Sequence, residues 1–216
     1  MGCADLMYRA TEKTQENARK RHDAIAEAAR LQIIEGGFAS ATVKAVAHRA
    51  NCSSGLIYQY FPSAEELLKG AFAHVSAYEL SLFRRGLEQH QDIGHAMDTA
   101  VNIFLGRSLQ GPRLADALLF EALPPLVEEE RLRFRRSWTH AISQRLDRAI
   151  ADGQLAIQNT VIVGTGLTGA LAENLLPRLH HATVEQTHLP VQEFISTVQI
   201  LCRKMIGLPN RTGEGI

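Results

Sequence analysis

The stretch Thr42–Phe61, TVKAVAHRANCSSGLIYQYF, decides how the chain is read. Thr42 is a good N-cap, because its hydroxyl can accept from an amide left unpaired in a first helical turn. Val43, Val46, Ala47 and Ala50 recur at i, i+3, i+4 and i+7, giving one apolar face with Lys44, His48 and Arg49 off it. Asn51 tolerates the left-handed backbone of a helix end, and Cys52 is small and apolar enough for the interior of a turn. Ser53 can cap a second helix whose first turn holds Ser54 and Gly55. Gly55 costs about 1 kcal/mol of helix stability against Ala, but it keeps bulk away from whatever approaches. Ile57 and Phe61 point inward, while Tyr58, Gln59 and Tyr60 carry polar tips outward. The chain has 23 Asp and Glu, yet none lies between Ser40 and Pro62, as expected of a surface that meets phosphates. The pattern is a helix-turn-helix that would place Ser53–Tyr60 in a DNA major groove. Two short helices inside an ordinary all-α protein share this spacing, so spacing alone leaves both readings open.

The residues narrow the choice. Thr42, the turn Asn51-Cys52-Ser53, the run Ile57-Tyr58-Gln59-Tyr60-Phe61 and the following Ser63-Ala64-Glu65-Glu66-Leu67 resemble the DNA-binding domain of the TetR family of transcriptional regulators. The resemblance covers Arg19–Phe72 and is weak beyond it. It has two departures. Asn51 stands where the family has Gly, which is mild. Ala64 stands where it has a Lys that touches a phosphate, so one backbone contact is missing. The resemblance implies an Ω-shaped homodimer whose last two long helices form an intersubunit four-helix bundle, with a ligand pocket in the helical body.

On this reading the DNA contacts fall to Thr42, Lys44, Ser53, Ser54, Gly55, Tyr58, Gln59 and Tyr60. Lys44 could donate to guanine or to a phosphate, and Gln59 can pair bidentately with adenine. Tyr58 and Tyr60 offer hydroxyls to phosphates, which position rather than specify. Arg19, Lys20 and Arg21 form a basic cluster just before the first helix, either a phosphate clamp or a solvated helix start. A dimer would set its recognition helices about 34–36 Å apart and require a near-palindromic operator.

Composition constrains the rest. The 216 residues suit one or two small domains, and 45% apolar content is ample for a core. Net charge is zero, so any case for nucleic acid is local. Cys3, Cys52 and Cys202 are unpaired by spacing and suit a reducing, cytoplasmic setting. The N-terminus has no apolar run long enough for a signal peptide. Met1-Gly2-Cys3 resembles a lipid-attachment start but lacks the Ser/Thr expected after it. The longest apolar run, Val161–Ala172, is too short to span a bilayer.

In order, residues 1–18 read as a flexible arm, 19–72 as the helix-turn-helix domain, 73–208 as a ligand-binding and dimerisation body and 209–216 as a disordered tail. The fold class is all-α with about nine helices. Ile25, Ala28, Ala29 and Ile33 mark an amphipathic helix ended by Gly36-Gly37. Ser63–Glu66 is a capping box opening a longer helix that runs to about Arg85, followed by a polar break, Gly86–Asp92. Further helices follow from Ile93, over Leu114–Leu123, and from the acidic turn Glu128–Glu130 to Asp152-Gly153. Thr160–Leu176 is glycine-rich and is stopped by Pro177, and Pro190 opens Val191–Met205. These last two helices are apolar over more than one face, which suits a homodimer seam, although two ordinary core helices would read similarly.

Ligand-pocket candidates lie where apolar stripes carry aromatics and stray polar groups: Phe104, Arg107, Ser108 and Phe120 in one half, Glu121, Phe134, Trp138 and Glu173 in the other. Such a lining suits an apolar or aromatic effector. Its charge is undecided, since Glu121 and Glu173 favour a cation and Arg107 an anion. His180, His181 and His188 cluster but lack the i, i+4 spacing of a metal site, so no metal and no cofactor are expected. No nucleophile motif or phosphate-cradling loop is present, so no catalytic residues are assigned. The expectation is a ligand-responsive DNA-binding regulator, most simply a repressor, and not an enzyme. The alternative is a small all-α ligand carrier or enzyme in which the first seventy residues are only structural.

Overall fold

A computed structural model describes residues 3–180 and 189–208. Among them there are nine α-helices and no strand. The first, α1 (Cys3–Gly36), leads through a 3-10 turn (Phe38–Ser40) to α2 (Val43–Arg49) and α3 (Ser54–Tyr60). A long connecting helix, α4 (Ala64–Glu88), enters the body, which comprises α5 (Ile93–Gln110), α6 (Pro112–Leu119), α7 (Pro125–Ala151), α8 (Thr160–Leu179) and α9 (Val191–Met205).

Local chemistry sets the early boundaries. The Thr42 hydroxyl accepts from Ala45 N at 3.2 Å, Ser53 from Leu56 N at 3.2 Å, and Ser63 from Glu66 N at 3.1 Å. Asn51 takes φ +50 between α2 and α3, alone among the described non-glycine residues in being left-handed. Ile25, Ile33, Val46 and Ile57 are fully buried and close the three-helix domain, with Phe38 beneath them. Burying each such side chain contributes about 1.5–3 kcal/mol.

The body packs around α4. Phe72 of α4 meets Phe38 of the DNA-side domain (ring centroids 5.7 Å) and Phe134 of α7 (6.2 Å). The far end of α4 is closed by Arg145, which is 4% exposed and donates to the carbonyls of Leu87, His90 and Gln91 at 2.7–3.2 Å. Burial lowers its guanidinium pKa from the ordinary arginine value. A seam joins α7 to α8, where Ser143 donates to the Thr160 carbonyl at 3.0 Å and Thr160 to Asp147 at 2.7 Å. Gly164 lies there because a Cβ would come within 3.0 Å of the Thr139 carbonyl and 2.9 Å of the Ser143 hydroxyl.

Several expectations change. Helix α1 runs back to Cys3, through residues read as an arm; its described side chains are exposed up to Ala24 except where core packing begins at Ile25. Gly86 is no break: it is buried inside α4, where a Cβ would sit 2.9 Å from the Ala100 backbone. The helix expected over Leu114–Leu123 starts earlier, at Pro112, whose lost N–H is harmless in a first turn, and stops at Leu119. Pro177 does not stop α8, which continues to Leu179. His181, His188 and the tail from Pro209 lie outside the described residues. No described helix is long and apolar enough to cross a membrane.

Candidate DNA-reading surface and ligand cavity

The α2–turn–α3 unit presents one face outward. Thr42, Lys44, Ser53, Gly55, Tyr58 and Gln59 are exposed, and Ser54 is half-buried. Tyr60 differs from its expected outward placement: it is half-buried and packs against the core. Gly55 is the informative position. A Cβ there would meet nothing nearer than the Ser53 hydroxyl at 3.8 Å, so the fold itself does not require glycine. Lys44 makes no ion pair among the described residues, whereas Arg49 is held by Glu35 and by Gln32 (3.0 Å) of α1 and braces α2 internally. Of the basic cluster, Lys20 pairs with Glu16 at 2.6 Å, while Arg19 and Arg21 are exposed and unpaired among the described residues. The next residue, His22, stacks on Phe61 at 4.8 Å, which brings the cluster beside the end of α3.

The body encloses a cavity of about 720 Å³ between α1 and α4–α8. Phe104, Arg107, Ser108, Phe120, Phe134, Trp138 and Glu173 all line it. Trp138 packs on Phe83 (4.5 Å) and edge-on to Phe104 (5.3 Å). Arg107 is not a free cation. It makes a two-point pair with Glu79 at 2.6 Å, which raises its pKa above the ordinary arginine value, and it lies over Tyr78.

Glu121 is the exception, because it lies outside the lining. Its carboxylate accepts from Phe38 N (3.2 Å) and Ala39 N (3.0 Å) and from Arg113 (3.2 Å). Arg113 also donates to the Gly36 carbonyl at 2.9 Å and pairs with Asp116 at 2.8 Å. The pair therefore latches the body to the end of α1. Gly37 is required here: its φ is +75, and a Cβ would overlap the Arg113 guanidinium. Sequence reading placed Glu121 by its apolar neighbours, which cannot reveal a partner 83 positions away.

The structure also adds residues to the cavity that sequence reading missed. Phe72, Ser76, Glu79 and Phe83 of α4 all line it. The visible signal was their spacing of i, i+4, i+7 and i+11, which puts a hydroxyl and a carboxylate on an apolar stripe. Among the described residues, no group of three His, Cys, Asp or Glu side chains is placed to hold a metal.

A capped helix-turn-helix with an acid-free outer face, joined by one long helix to a helical body, defines a DNA-binding regulator. Residues 25–71 match the model of the bacterial regulatory proteins of the tetR family, so the chain carries the DNA-binding domain that this family's model describes. The whole fold is shared with solved structures of low sequence identity. The fatty acid degradation regulator FadR from Bacillus halodurans is 19% identical, with a TM-score of 0.69 over 87% of this chain and 99% of that one. A TetR-family regulator from Rhodococcus sp. is 16% identical, with a TM-score of 0.70 over 88% and 100%. FadR from Bacillus subtilis, solved with stearoyl-CoA, is 14% identical, with a TM-score of 0.67 over 87% and 98%. RolR, solved with resorcinol, is 15% identical, with a TM-score of 0.66 over 90% and 91%. No curated protein matches the sequence.

Proposed function

We propose that the chain is an effector-responsive repressor that binds a near-palindromic operator as a homodimer and is released by a small molecule in the body cavity. One observation carries the reading: α4 is shared. Its Phe72 packs on Phe38 of the reading domain and on Phe134 of the body, and it also lines the cavity. An occupant therefore presses on the helix that holds the reader. Release follows only if the occupant binds better to the state in which the two readers are mis-spaced. Two proteins of this fold were solved in complex with small molecules, one with stearoyl-CoA and one with resorcinol, which supports the effector role.

The dimer seam is assigned to Thr160–Leu176 and Val191–Met205. Val161 (61% exposed) and Ile162 (69%) on α8, and Val191, Ile200 and Leu201 on α9, are large apolar side chains left uncovered by this chain. Arg19 and Arg21 clamp phosphates, Lys44 donates to a phosphate or to guanine, Tyr58 positions α3 on a phosphate and Gln59 reads from it.

The test is binding of the purified protein to the DNA immediately upstream of its own gene, across a salt series. Sequence-selective binding with a steep loss of affinity as salt rises is expected. Binding indifferent to sequence in a selected-oligonucleotide screen as well would refute the reading.

A further inference from the structure

Resting on the cavity as the effector site, we propose that it takes an uncharged aromatic molecule carrying one hydroxyl or carbonyl oxygen, anchored by the Ser76 hydroxyl. Ser76 lines the cavity and is 6% exposed. Other helical hydroxyls of the body turn back to a carbonyl four residues earlier: Ser108 donates to Phe104 O and Thr168 to Gly164 O, both at 2.8 Å. Ser76 makes no such bond and no other side-chain hydrogen bond among the described residues. The hydroxyl is reached from the cavity rather than sealed in the core, so a ligand oxygen can take the place of water on it.

The charges argue against an ionised ligand. Three of the four lining arginines already hold a carboxylate: Arg107 holds Glu79, Arg30 holds Glu27 at 2.6 Å, and Arg131 holds Glu128. The Arg30 partner is held below the usual carboxylate range by its hydrogen bonds to that guanidinium. A carboxylate ligand would have to displace Glu79 from Arg107 or lie beside it. The remaining ionisable lining groups, Arg135, Glu173 and His74, are all exposed to solvent, and the arginine and glutamate are of opposite sign, so they offer little net attraction to either kind of ion. What is left is a chamber walled by Phe72, Phe83, Phe104, Phe134 and Trp138, in which Ser76 offers a hydroxyl from within the wall while Tyr78 stands at the exposed rim. At about 720 Å³ it has the size of sites that hold drug-sized molecules.

The experiment is equilibrium dialysis of the full chain at neutral pH against 4-phenylphenol, biphenyl and biphenyl-4-carboxylate. These share a skeleton and differ in hydroxyl and charge. We expect 4-phenylphenol to bind about fivefold tighter than biphenyl, the worth of one neutral hydrogen bond, and more than about tenfold tighter than the carboxylate. In Ser76→Ala the preference for 4-phenylphenol over biphenyl should fall to about one, as loss of that single bond requires. A preference that survives Ser76→Ala overturns the anchor. Tightest binding of the carboxylate overturns the charge argument but leaves the effector cavity standing. Retention of none of the three overturns the cavity as an effector site, and the inference with it.

Discussion

The two halves of this molecule are both built from α-helices, but one is packed full and the other around a cavity. The reading domain is filled: Ile25, Ile33, Val46 and Ile57 are fully buried, and its polar groups sit in caps at the surface. The body leaves about 720 Å³ unfilled between its helices and lines it partly with paired charges. Close-packed interiors hold a shape, whereas a cavity forgoes dispersion contacts that an occupant can restore. The difference suits a rigid reader and a sensor whose helices have room to shift. Three features bridge the reading domain to the cavity walls: α4, the Glu121–Arg113 latch, and α1 itself, whose Arg30 and Ile34 line the cavity.

The sharpest way to break this division is at Gly55. Gly55→Leu should lower operator affinity by about a hundredfold or more, since it removes the close approach on which several base contacts depend. An added Cβ meets no close neighbour there, the position is exposed, and leucine favours a helix over glycine, so the melting temperature should hold or rise. Fluorescence anisotropy with operator DNA, read beside a thermal melt, tests both. Unchanged DNA affinity would mean that this face is not the reader.

The latch gives a smaller effect that separates two routes of coupling. Glu121→Ala leaves the Phe38 and Ala39 amides and the Arg113 guanidinium without their acceptor. It should destabilise the fold by roughly 2 kcal/mol and speed hydrogen exchange at those two amides. If effector still releases DNA from this variant as from the wild type, coupling does not need the latch and runs through the helices that line the cavity, α4 and α1. If release is blunted, the latch is a second route.

The smallest effect is electrostatic and lies in the body, far from both sites. Asp92 caps α5, accepting from His95 N at 2.8 Å and pairing with the His95 ring at 2.7 Å. The backbone bond foremost, and then the ring, hold its carboxyl below the usual aspartate range. The folded state thus binds this proton less tightly than the unfolded chain. The cap is fully stabilising at neutral pH and is lost as the pH falls through the folded carboxyl's lowered pKa. Asp92→Ala should cost about 1 kcal/mol at neutral pH, and the gap from the wild type should close on acidification. Urea melts across pH would show it, and a gap independent of pH would refute the assignment.

Much of the reading domain was legible because its determinants are local. Thr42, Ser53 and Ser63 cap helices three residues away, and Asn51 makes a turn with its own neighbours. A periodic stripe also names its inward face, so Val46 and Ile57 could be placed without a partner in view. The body was legible only as helices. Pro177 looked like a stop because a proline removes one backbone bond, yet α8 runs past it to Leu179.

What the sequence determined by itself is therefore the all-helical class, the helix-turn-helix and, Tyr60 excepted, the positions that face outward from it, since spacing and capping act within a few residues. The tertiary structure alone decided that Glu121 is a latch rather than a cavity residue, that Arg107 is neutralised by Glu79, and that Ser76 stands unpaired at the cavity wall. Each of these depends on which side chain arrives from a distant helix. Charge and hydrogen-bonding capacity are properties of pairs, and the pairs exist only once the helices have packed.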